Sequence, residues 1–387
     1  MRILFIADFN EQFAYRLLRG IYNYSKRNGN WVVCKMPFSY KRKIGLEGVV
    51  SWAKEWRADV VISPFEPGED VTVFRKNGIV ALATDYITKY SSIPNVTADY
   101  ERTGKLAAEH FLTKGFENFA FFGYSGVCWS EERCEGFRKR IVDAGYEENL
   151  YVYDKQQINS VWYNPNDLND WLMSLPKPIA VMAVDDTQGS ILMQACSSCG
   201  LRIPFDVAII GVDNDEITCN MSDPSMSTIN INIEEGGYEA AVMAERMVMD
   251  PSYPGEDIVM RPLGVIERVS SSVLATNDKE MLAALRFIHA NVDSKIQVTD
   301  VLKNVPLSRR LLEQRFKDMT GMTVYNYISV LRMEHFAHLL ISSNDSISDI
   351  AARMNEFDTK GISRRFKELK GCTPSEYRKK HLRKSRN

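Results

Sequence analysis

Four aspartates stand just beyond short apolar runs: Asp8 after Ile3–Ala7, Asp85 after Ile79–Ala83, Asp185 after Ile179–Val184 and Asp213 after Val207–Gly211. If those runs are strands of an open parallel sheet, the carboxylates gather beyond the strands' carboxyl ends, where such sheets bind ligands. Carboxylates there accept hydrogen bonds from vicinal hydroxyls, and an Arg or Asn beside them donates to the same hydroxyls, which is the chemistry of sugar recognition. Phe9, Phe13 and Trp129 lie near the same candidate loops and offer rings for an apolar sugar face. Asp185-Asp186 also precedes a helical pattern, where a carboxylate commonly caps the helix, so structure alone accounts for one of the pair.

A second chemistry sits at the other end of the chain. Arg315-Phe-Lys-Asp-Met-Thr-Gly-Met-Thr323 aligns, fifty residues later, with Arg365-Phe-Lys-Glu-Leu-Lys-Gly-Cys-Thr373, and the match continues to Tyr327 and Tyr377. Two copies of one helical unit are present, too few for a solenoid. In the first copy, Val298–Val305 reads as a short helix, Pro306-Leu307-Ser308 as a turn with Ser308 as N-cap, and Arg309–Met319 as the next helix. Helical spacing turns Leu312, Phe316 and Met319 inward and leaves Arg309, Arg310, Glu313, Gln314 and Lys317 outward. In the second copy Ser346 or Ser348 caps Ile347–Met354, and Thr359–Leu369 forms the basic helix. Ile362, Phe366 and Leu369 then face inward, with Lys360, Ser363, Arg364 and Lys367 free to face outward. Short helix, tight turn and basic second helix is a layout that enters a DNA major groove. There Arg and Lys reach phosphates or guanine edges, and Gln314 can read adenine. A basic face that is merely solvated is the competing explanation, and the duplication weighs against it.

The elements that must hold these residues follow from periodicity. Strand-like runs (the four above, with Trp31–Lys35, Val60–Ser63 and Phe119–Phe122) alternate with the amphipathic stretches Phe13–Arg27, Tyr100–Thr113, Glu132–Asp143, Thr187–Cys199 and Glu234–Met249. Alternation of this kind means βα units and parallel sheet, and the length suits two sheets better than one. Val269–Asn277 is polar and aperiodic and reads as a linker; beyond it only helical patterns occur. From Asp278 onward there are 21 Lys+Arg against 13 Asp+Glu, whereas the whole chain holds 48 against 50. A basic module is thus joined to an acidic body, and a basic module calls for a polyanion.

The C-terminal part, from the first copy through Leu331-Arg332…Ala337-His-Leu-Leu340 to Phe366-Lys367…Gly371-Cys-Thr373-Pro374-Ser-Glu-Tyr377-Arg378, resembles the AraC/XylS-type DNA-binding domain. That resemblance implies two helix-turn-helix units, about 298–319 and 347–370, joined by one long helix within a domain spanning 278–384. The chain departs from the family at Asn355-Glu356, where Gly-Phe is usual. Asn tolerates the left-handed backbone that Gly adopts there. Residues 1–268 resemble the ligand-binding domain of LacI/GalR repressors and periplasmic sugar-binding proteins. The resemblance rests on Asn95-Val-Thr-Ala-Asp99…Ala107-Ala-Glu-His110, Arg133-Cys-Glu-Gly-Phe137, Ala183-Val-Asp185-Asp186 and Ile203-Pro-Phe-Asp-Val-Ala-Ile-Ile-Gly211-Val-Asp213-Asn214. It implies a two-lobed α/β periplasmic-binding-protein-like sensor whose chain crosses between lobes near 115 and 230, followed by the all-α domain. It also implies that Arg133, Asp185 and Asp213 touch the ligand, although Arg133 has Glu131 and Glu135 as partners on its own helix. Together the two resemblances imply a homodimeric transcription activator on double-stranded DNA, working with RNA polymerase and switched by a monosaccharide, with xylose the first candidate.

Other classes fit less well. A sugar-metabolising enzyme with an accessory helical domain would use the same αβ body without needing duplicated basic helices. Cys196-Ser-Ser-Cys199 has no second pair to complete four zinc ligands, and neither a nucleotide-binding glycine loop nor a nucleophile elbow follows a strand, so no metal and no cofactor are expected. No segment approaches the roughly 18 apolar residues of a membrane helix. The run Met1–Ala7 is too short for an export signal, and seven scattered cysteines suit a reducing compartment, so the cytoplasm is the expected location.

Overall fold

Every position of Val60–Pro64, Asn95–Ala98, Phe119–Phe122, Ile179–Ala183 and Val207–Val212 is buried. Strands buried on both faces belong in parallel sheets covered by helices on each side, and the chain builds two of them. The computed structural model describes residues 1–9, 12–29, 31–84, 87–153, 164–273, 275, 278–343, 345–356 and 358–384. In chain order the strands are β1 (Arg2–Ala7), β2 (Val32–Pro37), β3 (Val60–Pro64), β4 (Val80–Thr84), β5 (Asn95–Ala98), β6 (Phe119–Phe122), β7 (Leu150–Tyr153), β8 (Ile179–Ala183), β9 (Val207–Val212), β10 (Ser227–Ile231), β11 (Ile258–Met260) and β12 (Pro262–Ile266). The first sheet runs β2-β1-β3-β4-β5-β11 with every pairing parallel. The second runs β7-β6-β8-β9-β10-β12 and is parallel except for β12 against β10.

The chain passes between the lobes at Asp99, Asn232 and Arg261. The crossing expected near 115 therefore moves back to Asp99, because Tyr100–Thr113 packs on Cys128–Asp143 in the second lobe rather than on the first sheet. The crossing expected near 230 falls at Asn232, and a third, which sequence did not suggest, separates β11 from β12. The crossings are tied to one another: Asp99 N donates to Met260 O at 2.8 Å, Asn232 N to Arg261 O at 3.1 Å and Arg261 N to Asn232 Oδ1 at 2.5 Å. Three short connections of this kind let two lobes rotate as bodies. Glycines set the closest packing within each lobe. A Cβ at Gly20 would lie 2.0 Å from Glu234 O, and one at Gly104 would lie 2.0 Å from Arg133 O, so each lobe holds a helix pair in backbone contact.

The segment read as a linker, 269–277, is not a free tether over its described residues. Val269–Ser271 forms a short 3-10 turn, and Ser270 Oγ donates to Ile209 O at 2.7 Å while accepting from Ser227 N at 2.8 Å. Ala275 N donates to Lys114 O at 2.8 Å, and Val273 is buried in the core of the C-terminal domain. Its polar residues look aperiodic because serine side chains, not apolar ones, dock it on the second lobe.

Beyond it lie the helices Lys279–Ala290, Val298–Leu302, Arg309–Thr320, Val324–Ser342, Ile347–Arg353, Thr359–Lys370 and Pro374–Lys384. The two basic helices start and stop at an offset of fifty residues, and each ends in a left-handed glycine, Gly321 (φ 71°) and Gly371 (φ 72°). Two separate apolar cores result. Leu312, Phe316, Ile328 and Leu331 fill one, and Met333, Phe336, Ile362 and Phe366 the other. Among the described residues, only the long helix Val324–Ser342 contributes to both. Leu369, expected inward, is exposed: Gly371 closes the helix two residues later, and Phe366 and Tyr377 already meet there with ring centroids 5.3 Å apart.

Candidate ligand cleft and nucleic-acid interface

The carboxyl ends of β1 and β4 in one lobe and of β8 and β9 in the other face a cleft of about 630 Å³. Asp8, Arg133, Asp185 and Asp213 all line it; Asp85 lies outside the described residues. Phe9, Phe13 and Trp129, expected as ring platforms, line it too, so polar groups and aromatic walls converge as a monosaccharide needs.

Arg133 is held most tightly. It comes from the helix Cys128–Asp143, is 4% exposed, and donates to Val184 O at 2.6 Å. Its guanidinium lies 5.2 Å from the Tyr100 ring centroid and 5.4 Å from that of Trp129, within cation–π range of both. Arg133 Nη2 reaches Asp213 Oδ1 at 3.4 Å, and Nε has no protein partner. Its partner therefore comes from the end of β9, not from Glu131 or Glu135 on its own helix.

Asp213 and Asn214 both adopt left-handed backbone, φ 93° and 51°. Such conformations cost free energy and cluster at binding sites. They are held by Asp213 N donating to Ile229 O at 2.9 Å and by Arg16 Nη1 donating to the Asp213 carbonyl. Arg16 belongs to the first lobe and also donates to Ile231 O at 2.9 Å, so one side chain straps the Asp213 loop across the hinge. Nothing in the sequence distinguished Arg16 from the other arginines of an amphipathic helix.

The paired carboxylates divide their work. Asp185 caps the helix Asp186–Ser198, accepting from Gln188 N at 2.7 Å, and burial pushes its carboxyl up to about 6. Asp186 is 2% exposed, accepts from Thr228 Oγ1 at 2.6 Å and from Asp215 N at 2.7 Å, and is raised well above the carboxylate range by the same burial. Asp186 therefore braces the loop that carries Asp213. Sequence reading missed Tyr124, Gln12, Ser39 and Arg42, which also line the cleft. Ser39 and Arg42 sit on a helix broken at Gly45 (φ 68°), which hides their period.

In the C-terminal domain Ser308, Arg309, Arg310, Gln314 and Lys317 are exposed on the first basic helix, as are Lys360, Arg364 and Lys367 on the second. Ser308 Oγ accepts from Leu311 N at 3.3 Å, the capping role its position suggested. Ser363 is the exception among the residues expected to face DNA. It is half-buried and donates to Thr359 O at 2.7 Å, one turn back on its own helix, where a hydroxyl finds the nearest free carbonyl. Asn355 has φ 51°, the left-handed turn that its residue type allows. The helix Glu216–Met221, capped by Asp215 two residues after Asp213, packs against Val324–Ser342 and so joins the cleft loop to the basic module.

Residues 108–271 match the periplasmic binding protein-like domain family, and residues 302–380 match a helix-turn-helix domain family. The chain is 29% identical over 336 residues to the xylose operon regulatory protein of Escherichia coli (strain K12), an alignment covering 84% of this chain and 85% of that one. The protein of the same name from Haemophilus influenzae is 26% identical, covering 83% and 84%. Among solved structures, a xylose-binding transcription activator superposes with a TM-score of 0.73 at 26% identity, covering 97% of both chains. A LacI-family regulator from Enterococcus faecium with bound ribose, 20% identical, superposes with a TM-score of 0.60 over 71% of this chain and shares its fold. The full-length relatives are transcription regulators, and the alternative of a sugar-metabolising enzyme finds no support among them.

Proposed function

Because the chain is homologous to the xylose operon regulatory proteins and joins the same two kinds of domain, we propose that it is a sugar-sensing transcription activator of the AraC type, with xylose as inducer. One observation carries the sensing half: a cleft between two hinged lobes collects Asp8, Arg133, Asp185 and Asp213 beside three aromatic rings. A pentose inside it offers hydroxyls to the carboxylates and to the Arg133 guanidinium. The ligand favours one closure angle only by its differential affinity for the open and closed lobes. Closure moves the Asp213 loop, the helix that Asp215 caps and, through it, the helix linking the two DNA-reading units.

The reading half rests on the eight exposed polar and basic residues of the two helices. Lys317, Lys360, Arg364 and Lys367 meet phosphates, while Arg309, Arg310 and Gln314 read base edges. A homodimer formed through the sensor domains presents two such modules to repeated half-sites and to RNA polymerase. No helix among the described residues is long and apolar enough to cross a membrane, which suits a protein that meets DNA in the cytoplasm. Thermal unfolding against a panel of monosaccharides tests the inducer. A sugar at about a hundred times its dissociation constant adds about 2.7 kcal/mol to the sensor. A selective rise with xylose supports the assignment; a rise with another sugar alone replaces xylose, and no rise with any removes the sugar.

A further inference from the structure

Among the described residues the two DNA-reading units share no core. Residues up to Leu331 pack with the first and residues from Met333 with the second, so apolar packing reaches across only through the 19-residue helix Val324–Ser342. A helix of that length spans about 28 Å, close to one turn of DNA, and fixes the separation of the reading helices. A single helix constrains their mutual rotation less firmly, because each unit can rock about the shared axis. Polar contacts across the join supply that constraint, and they converge on Glu356, in the second unit's turn.

Glu356 follows left-handed Asn355, and its N–H donates to Ala351 O at 2.9 Å. That turn points its side chain back across the linking helix. There Oε1 meets Lys295 Nζ at 3.0 Å and Oε2 meets Arg332 Nη1 at 3.5 Å, with the glutamate side chain only 15% exposed. Lys295 lies just before the first unit, in the segment between Lys279–Ala290 and Val298–Leu302, where Val292 and Ile296 pack against that unit's core. Arg332 is 7% exposed and also donates to Met354 O at 2.6 Å, so it anchors Glu356 to the linking helix. Two further contacts follow the same path. His335 Nε2 lies 2.6 Å from Asp293 Oδ1, and the Arg365 guanidinium lies 5.5 Å from the Tyr325 ring centroid.

We propose that Glu356 is a positioning residue that locks the angle between the two reading helices, through Lys295 and Arg332, and so sets the spacing of the two groove segments the chain accepts. The proposal rests on the DNA-binding reading above, and a DNA contact by Lys295 itself is separable from it. A clamp acts on the relation between two grooves, whereas a lost phosphate contact weakens all sequences alike.

The test uses the full chain and a duplex that the wild-type protein selects from a random pool, with footprinting to locate both contacted grooves. Affinity is measured for that duplex and for one with a single base pair inserted between the grooves. Wild type should discriminate against the insertion by about tenfold, the size of one mismatched position. Lys295→Ala, at an exposed residue, and Glu356→Gln should each cut that ratio to about threefold or less, with the parent duplex bound nearly as well. Thermal unfolding verifies that both variants are folded; if Glu356→Gln is not, Lys295→Ala decides alone. An undiminished ratio in the folded variants overturns the proposal. Equal weakening on both duplexes also overturns it, assigning Lys295 to phosphate. So does a wild-type chain indifferent to the insertion, and protection of one groove segment only would overturn the two-unit reading beneath it.

Discussion

Replacing Asp213 by Asn isolates the charge of one cleft carboxylate. Asn tolerates the positive φ of 93°, and the backbone contacts to Ile229 and Arg16 do not involve the side chain. What changes is an ionised acceptor facing the cleft and the 3.4 Å approach to Arg133, whose side chain is 5% exposed against 19% for Asp213. A hydrogen bond to a charged group contributes about 1.5–3 kcal/mol. Taking about 2 kcal/mol, sugar affinity falls about 30-fold. At a concentration that saturates wild type a hundredfold, stabilisation then drops from about 2.7 to about 0.9 kcal/mol. For a domain somewhat above 250 residues this is a ligand-induced rise in Tm of about 5 °C in wild type against about 1.5 °C in the variant. The apo variant melts lower because Arg133 has lost its carboxylate, but the comparison is of each protein with and without sugar, so that loss cancels. A Tm rise equal to wild type's at the same sugar concentration would refute a contact between Asp213 and the ligand.

Asp185 carries a pH signature. Its folded-state carboxyl sits at about 6 against an ordinary 3.8, so the folded chain binds the extra proton between those values and loses stability as pH rises through that window. Asp185→Asn, which still caps the helix, should flatten this decline in Tm-against-pH curves. If sugar hydroxyls donate to the ionised form, wild-type affinity weakens below about pH 6 while that of Asp185→Asn does not, as calorimetric titration at pH 5 and 7 would reveal. On the DNA side, Arg364→Ala should reduce the slope of log affinity against log salt by about 1, whereas Gln314→Ala should cost about 1–3 kcal/mol at a single base position. Equal loss on all sequences for Gln314→Ala would remove its base contact. Phe366→Ala, a truncation in the second unit's separate core, should cost about 3–5 kcal/mol there yet leave the sugar-induced Tm rise of the sensor intact; loss of that rise would show that the domains melt as one.

What the sequence made legible was whatever repeats with a period. All seven predicted apolar runs form strands; six are almost continuously buried, and the seventh, β2, is an edge strand with only Met36 buried. The fifty-residue duplication survives because both basic helices need a capping side chain (Ser308 and Asp358), the same buried phenylalanine and the same left-handed glycine. β5, β7, β10, β11 and β12 were passed over because none forms a longer uninterrupted apolar run: β7 and β11 are four and three residues long, and polar residues, Pro or Gly break up β5, β10 and β12. The cleft was legible in one respect, that carboxylates at strand ends gather in a parallel sheet. Its electrostatics were not. Asp185 and Asp186 are adjacent, identical in type and both line the cleft, yet one caps a helix and the other is buried against Thr228 and Asp215, about thirty to forty residues away. Arg16 makes the same point across the lobes, since its three acceptors lie about 200 residues distant and all are backbone or amide oxygens. A strap of that kind leaves no pattern in residue types, because a carbonyl is supplied by every residue. Coupling between the sensor and the DNA-reading units is therefore written mainly in backbone acceptors and loop geometry. Substitutions at Arg16 or Asp215 should alter switching more than they alter either binding activity taken alone.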